Sequence, residues 1–302
     1  MTRPRIVDPG ATLALSRRTT RRHFLLHPDE AREMEQIYWY CLAHAAKLHG
    51  VLVHAACLMS THAHEVITDV RGVYPDFLET FHRNLALCTK ALRGWPEEVF
   101  NKRSSGVHAL LTPDAIVEAI AYLIANPVAA GAVRYAKDWP GAQTLSAHVG
   151  TRVIRVKRPK HYFNPGNPEW PEELELRLEM PVVLQLDYGS DLARERISER
   201  VRSKQHQAWN EAKRSGRSFV GPRRVLNVAH TKRAKSYEVF GSLNPQFAAA
   251  GNRGAATEAV KRLRAFKEQY QRALAKWMAG DRSACFPEGT WWMRVCHGAR
   301  CG

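Results

Sequence analysis

The chain has 302 residues, a hydrophobic fraction of 45% and a formal net charge of +16, enough length for one large or two ordinary globular domains. Its longest apolar runs, such as 50–59, are too short to span a bilayer, and residues 1–10 lack the apolar stretch of a secretory signal, so a cytoplasmic, nucleoid-associated protein is expected. The charge is uneven, with 16 Lys and Arg against 14 Asp and Glu in residues 1–150 but 29 against 15 in 151–302, and such a basic excess points to a nucleic-acid partner.

Residues 12–24 read as an extended segment, apolar and then basic, whose Arg17, Arg18, Arg21 and Arg22 are candidates to track DNA. Pro28-Asp29-Glu30 has the chemistry of a helix start. Met34, Ile37, Tyr38, Cys41, Leu42, Ala45 and Leu48 then recur at helical spacing until Gly50. Residues 51–58 and 62–68 read as strands joined by a short turn. A second helix covers 75–92, with Phe77, Leu78, Phe81, Leu85 and Leu92 as its apolar stripe, and 100–111 reads as a strand or hairpin.

Thr112-Pro113-Asp114 opens a third helix: a hydroxyl cap, proline in the first turn, and an acid at the positive end of the dipole. It is predicted to run to Asn126 and stop at Pro127. Ile116, Ile120, Leu123 and Ile124 form its core face, and Glu118, Tyr122 and Asn126 a stripe opposite. The order strand–helix–strand–strand–helix–strand predicts an α+β, ferredoxin-like antiparallel sheet with helices on one face.

A boundary is expected near 151–171, dividing the chain into 1–150 and a basic, mainly helical 151–302. Arg152, Arg155, Lys157, Arg158 and Lys160 make the boundary basic, 172–187 is mixed and apolar, and 190–214 is a long charged helix. Residues 213–235, with Arg223 and Arg224, are strongly basic, and 257–278 is an amphipathic helix ended by Gly280. The cations of 152–160 and 213–235 are the expected phosphate contacts. Trp209, Phe219, Tyr237 and Phe240 interleave with that charge as candidate base-stacking rings. Cys41, Cys57 and Cys88 lie in apolar surroundings and read as core residues. Cys285, Cys296, His297 and Cys301 match no standard zinc spacing.

His62-Ala63-His64 carries the chemistry. On a strand, alternate side chains share a face, so both imidazoles project together; Glu65 belongs to the other face. On a helix, residues four apart are neighbours, so Tyr122 and Asn126 project together. Two imidazoles and an amide oxygen can hold one divalent metal beside a phenol. That set suits a tyrosine nucleophile cleaving a phosphodiester. Glu118, one turn before Tyr122, is an accessory candidate as ligand or proton acceptor.

Met59-Ser60-Thr61-His62-Ala63-His64-Glu65-Val66 resembles the Met-Pro-Asn-His-Val-His-Leu-Leu segment of HUH single-strand transposases. Residues 121–133, AYLIANPVAAGAV, resemble the segment Arg-Tyr-Ile-x-x-Asn-Pro-Val-Arg-Ala-Gly-Leu-Val of the REP-associated tyrosine transposases. Order and spacing of the two segments agree, and the resemblance covers roughly residues 10–145. It implies an HUH catalytic domain in which His62, His64 and Asn126 bind Mg²⁺ or Mn²⁺ and Tyr122 is the nucleophile. It also implies single-stranded or hairpin-associated DNA as substrate, a 5′-phosphotyrosine intermediate, and DNA transposition as the outcome. The departures from the pattern include Ser60, Thr61, Glu65, and the two alanines, Ala121 and Ala129, that stand where the family segment has arginine. A non-catalytic or domesticated nucleic-acid-binding protein of the same fold, and a metal nuclease that uses water, are the rival readings. Nothing in the chain fixes its oligomeric state; a monomer is slightly favoured.

Overall fold

In the computed structural model the described residues are 4–101, 105–235 and 245–302. The predicted order is present: β1 (Ala11–Arg18), α1 (Glu33–His49), β2 (Leu52–Met59), β3 (His62–Asp69), α2 (Tyr74–Arg93) and β4 (Gly106–Leu110). After them come α3 (Pro113–Ala129), β5 (Val153–Lys157), β6 (Glu173–Arg177), α4 (Val182–Tyr188), α5 (Ser190–Arg214), α6 (Pro222–Leu226), β7 (Phe247–Ala248), α7 (Arg253–Met278), β8 (Cys285–Phe286), α8 (Trp292–His297) and β9 (Arg300–Cys301). The main sheet has the order β2-β3-β1-β4-β7. Its first four strands are antiparallel neighbours in the ferredoxin-like order, and β7 adds a parallel edge that makes the sheet mixed.

Local chemistry explains several boundaries. The first helix starts at Glu33, later than Pro28-Asp29-Glu30 suggests, because Asp29 acts from a distance: its carboxylate accepts from the Glu33 and Met34 amides at 2.9 and 3.0 Å. Asp69 does the same for α2 through Val73 and Tyr74, at 2.9 and 2.7 Å. Thr112 accepts from Ala115 at 3.1 Å, the cap its sequence announces. β1 ends at Arg18, where Thr20–Arg22 turn as a single 3₁₀ segment with Arg21 and Arg22 at φ 46° and 58°. Of the stretch 100–111, strand β4 occupies Gly106–Leu110.

The third helix does not stop at Pro127. It runs on to Ala129, with the proline inside its last turn. A proline there forfeits one amide donor, and Gln143 donates to the Ile124 carbonyl at 2.7 Å beside the interrupted turn.

The two faces of the sheet build separate cores. Ala63 and Ile67 of β3 pack with α1, α2, β5 and β6, while Val66 packs with α3, Leu184 of α4, and Ala193, Ile197 and Val201 of α5. Thus α1 and α2, the helices of the ferredoxin-like unit, share one face as expected, and α3, α4 and α5 cover the opposite one. Residues beyond 150 complete both cores. The chain after α3 also closes the sheet: Leu58 and Thr144 amides bond to the Ala142 and Ala56 carbonyls along the β2 edge, Glu179 donates to Val53, and β7 covers β4.

A third small core joins α7, β8, α8 and β9 through Ala273, Phe286, Met293 and Ala299. It is tied to the N-terminal strand region by Arg262–Asp8 at 2.7 Å and the Ile6–Thr290 bridge. Cys41, Cys57 and Cys88 are buried and free. No described helix is long and apolar enough to cross a membrane.

Candidate active site

His62 and His64 project from β3 toward α3, on the face opposite Ala63, Glu65 and Ile67. Their ring centroids are 4.7 Å apart and nearly perpendicular. The Tyr122 ring meets His64 edge-on at 5.5 Å. The Asn126 amide nitrogen lies 3.5 Å from His62 Nε2. Four side chains that are separated by up to 64 positions in the chain therefore converge. Tyr122 keeps 51% of its surface exposed, whereas Asn126 keeps only 7%. The stripe predicted opposite the α3 core face is thus partly roofed: α3 is packed between the sheet and α5, and its Asn126 end faces the histidines.

The protonation of the pair follows from its surroundings. Burial, with His64, Arg18 and Arg22 nearby, holds His62 well below its ordinary pKa. Burial first, and then Arg18, push His64 down to about 4. Both rings are neutral at neutral pH, the form that binds metal. His62 Nδ1 is 2.9 Å from the Thr61 hydroxyl, which leaves its Nε2 toward Asn126. His64 bonds to the Leu15 carbonyl, while its Nε2 is buried without a hydrogen-bond partner. A buried orphan nitrogen is costly unless something binds it. Which atom of the Asn126 amide is oxygen is an assignment by hydrogen bonding, and the reversed amide presents Oδ1 to the same space. Among the described residues no three His, Cys, Asp or Glu side chains gather to hold a metal, at this site or around Cys285, Cys296, His297 and Cys301. A divalent cation here would be held by two imidazoles and an amide oxygen, with open positions left for water and phosphate; the oxygens suit Mg²⁺ or Mn²⁺ and the imidazoles the later transition metals.

The strand register adds neighbours. Arg18 and Ser16 of β1 sit directly across from His62 and His64, and Gly106 of β4 sits across from Ser16. A side chain at Gly106 would collide with the Ser16 hydroxyl, so glycine keeps this corner of the sheet open. His108, two positions on, contributes its charge to the environment of His64. Strand alternation plus pairing is the signal that finds these residues, and it needs the register.

The other predicted residues divide sharply. Arg18 and Arg22 act on His62 electrostatically, and Arg21 is exposed on the same turn. Arg17 points the other way, its guanidinium 5.6 Å from the Phe100 ring centroid and its pKa lowered by burial. Strand alternation alone separates Arg17 from Arg18. Glu118 is not at the histidines. It is engaged by Arg200 and by Lys204, the latter at 2.7 Å. Burial opposes its ionisation, but the hydrogen bonds and charge of those cations prevail and lower its pKa. It clamps α5 to α3, a task that removes it from proton transfer.

Arg155, Lys157 and Arg158 lie on the β5–β6 hairpin, which packs on α1 across the sheet from Tyr122. Arg155 pairs with Glu175 at 3.2 Å and Arg158 donates to the Trp170 carbonyl at 2.5 Å. Arg223 and Arg224 are exposed on α6. Trp209 donates to the Arg134 carbonyl at 2.7 Å and meets Tyr135 edge-on at 5.4 Å, which marks it as a packing residue. Tyr237 and Phe240 lie outside the described residues. The basic segment before them does reach the site region: Phe24 bonds to the Lys232 carbonyl at 2.9 Å and Ala234 to Arg22 at 3.1 Å.

The sequence reading missed a groove of about 920 Å³ between α3, α5 and the loop after α5. Tyr122 stands in its wall with Lys204, Arg214, Arg217 and Phe219. No local motif marks it, because it is made by packing two distant helices.

No protein-family model matches the chain, and no curated protein matches it. A solved structure of a REP-associated tyrosine transposase bound to a REP hairpin is similar to it. The two share 17% identity at a TM-score of 0.41, over 49% of this chain and 84% of that one.

Proposed function

We propose that the chain cleaves and rejoins single-stranded, hairpin-associated DNA with Tyr122 as nucleophile and a divalent metal as cofactor, the chemistry of DNA transposition. The observation that carries this reading is the convergence of Tyr122 and Asn126 with the neutral pair His62 and His64. The motif resemblance of residues 59–66 and 121–133 supports it independently.

His62, His64 and Asn126 would hold Mg²⁺ or Mn²⁺, which when bound stabilises the charge that builds on the scissile phosphate. Tyr122 attacks phosphorus. Its oxygen forms a bond to the 5′ phosphate as the bond to the 3′ oxygen breaks, and the 3′ oxygen gains a proton. The half-exposed phenol gives its own proton to water. Reversal by that 3′ hydroxyl, or by another, rejoins strands. The phosphotyrosine bond conserves the energy of the phosphodiester, so no nucleoside triphosphate is consumed. Arg18 and Arg22, beside His62, would hold flanking phosphates. Ser16 and Gly106 leave the sheet surface low enough for the strand to approach.

The test is a denaturing protein gel after incubation with labelled hairpin DNA and Mn²⁺ or Mg²⁺. Wild type should give a metal-dependent covalent band, and Tyr122→Phe should bind the DNA without forming one. Cleavage by Tyr122→Phe at the wild-type rate overturns the assignment and favours water as nucleophile. Bound DNA without a covalent band, across several hairpins, favours the non-catalytic reading. One observation favours that second reading: Ala121 and Ala129 replace the arginines of the resembled segment, and Ala121 is fully buried.

A further inference from the structure

We propose that the groove between α3 and α5 is a binding subsite for unpaired DNA, which seats the strand beside Tyr122. The proposal rests on the functional reading above and deepens it by assigning substrate grip to α5 and the loop after it, which lie outside the resembled segments and face the end of α3.

The groove volume, about 920 Å³, lies within the range of roughly 300–1,000 Å³ typical of ligand sites. Its floor is small and apolar: Ala125, Ala129 and Gly131 on the α3 side, and Ala208 and Ala212 on α5. Its rim is cationic. Lys204 is held from outside the groove lining by Glu118 at 2.7 Å, and Arg214 and Arg217 face a single lining carboxylate, Glu211. That carboxylate is shared, at 2.7 Å by Arg214 and 3.7 Å by Arg217, and all three side chains are largely exposed. Exposed pairs of this kind are worth little and exchange readily for another anion. The net rim charge is positive, so the occupant is an anion with flat apolar parts. Phe219 supplies a ring on which a base can stack.

The groove is preformed. Val220 and Gly221 donate to the Gly131 and Ala132 carbonyls at 2.9 and 2.8 Å, and Arg217 donates to Ala212 at 2.9 Å. These bonds fix the loop after α5 against the end of α3. Ala129, where the resembled segment has arginine, lines this groove, and the cations arrive instead from α5 and its loop. A duplex offers no free base to such a floor, whereas an unpaired strand can lay bases down and leave phosphates at the rim. Tyr122 lines the groove, so a strand lying in it passes the nucleophile.

The experiment measures binding of a labelled single-stranded oligonucleotide by fluorescence polarisation, across salt concentrations, with the full chain carrying Tyr122→Phe. Adding Arg214→Gln with Arg217→Gln should weaken binding about tenfold or more at low salt and make the log–log salt slope shallower by about 1.4, near 0.7 for each phosphate that is no longer neutralised. Glu211→Gln should act oppositely and tighten binding a few-fold. Phe219→Ala should weaken binding by roughly fivefold or more. Blunt duplex of equal length should lose little affinity in any of them. Unchanged affinity and slope in the double arginine variant, or equal losses for duplex and single strand, overturn the proposal. The measurement needs no chemistry. If the wild type forms no covalent band but the groove variants lose single-strand affinity, the nucleophile assignment fails and the groove stands. If the band forms and the groove variants bind as the parent does, the groove alone fails.

Discussion

One strand serves two chemistries, and the comparison between its faces is instructive. Toward α1 and α2, β3 presents Glu65, 1% exposed, whose Oε1 accepts the Tyr38 hydroxyl at 2.8 Å. Burial pushes this carboxyl up to about 8, although the Tyr38 hydrogen bond pulls it down. Glu65 is therefore a largely neutral acid settled among aromatic rings. Toward α3, the same strand presents His62 and His64, also held neutral, but with nitrogens aimed at each other's neighbourhood and at Asn126. The first face also leaves an atom without a partner, Glu65 Oε2, but encloses it in the core. The second leaves His64 Nε2 unanswered beside a half-exposed phenol. Desolvation alone does not mark a functional site; desolvation with an unmet donor or acceptor, next to an opening, does.

If that contrast is sound, changes on the α3 side should alter chemistry and spare stability, and changes on the α1 side should do the reverse. The largest effect is expected from His62→Ala or His64→Ala: adduct formation should fall by at least about 100-fold, with thermal unfolding showing a folded protein. Adduct yields close to wild type in both variants would remove the metal site from the reading. Tyr38→Phe comes next. It strands the Glu65 carboxyl and should cost about 1–3 kcal/mol of stability, seen as a lower denaturant midpoint, with adduct yield per folded molecule unchanged. A loss of adduct without a loss of stability would show that the faces are coupled.

Gly106→Ala probes sterics rather than chemistry on the α3 side, and is the exception there. The new methyl would collide with Ser16 Oγ, and a cost of about 1–3 kcal/mol is expected. Ser16→Ala in the same chain should return most of it, because Ser16 Cβ is 3.7 Å away; no rescue would mean that the corner is tight for another reason. The smallest effect concerns pH. Burial first, and then Arg17, push His82 down to about 3 from an ordinary 6.5. Between those values the unfolded chain binds the extra proton, so stability is intact above about 6.5 and declines as pH falls toward 3. His82→Phe should flatten that acid limb by at most one proton; an unchanged limb would assign it to other groups, such as His54, also held near 4 by burial.

The ferredoxin-like unit was legible because its periodicities are local: the α1 and α2 stripes, the Thr112 cap and the His62/His64 alternation each lie within one element. The limits of α1 and α3 were less so. Asp29 caps from four residues before the helix, and Pro127 is tolerated inside a last turn that neighbouring elements support. Arg17 was grouped with Arg18, although adjacent strand residues face opposite sides. Glu118 read as a reactive group because its cations, Arg200 and Lys204, lie more than eighty positions away on α5. The groove has the same origin: each wall is visible as a helix, but the pairing of the walls is a tertiary fact.

The pairing of β4 with β7 carries a consequence for how the chain is made. Ala109 and Leu110 find their edge partners in Phe247 and Ala248. A ribosome adding 5–20 residues per second leaves that edge bare for something on the order of ten seconds after β4 emerges. Over the same interval the apolar side of α3 lacks the α5 residues that cover it, until residue 201 has left the tunnel. An unpaired strand edge is a template for other chains, so slowing translation between residues 110 and 247 should raise the aggregated fraction of newly made protein.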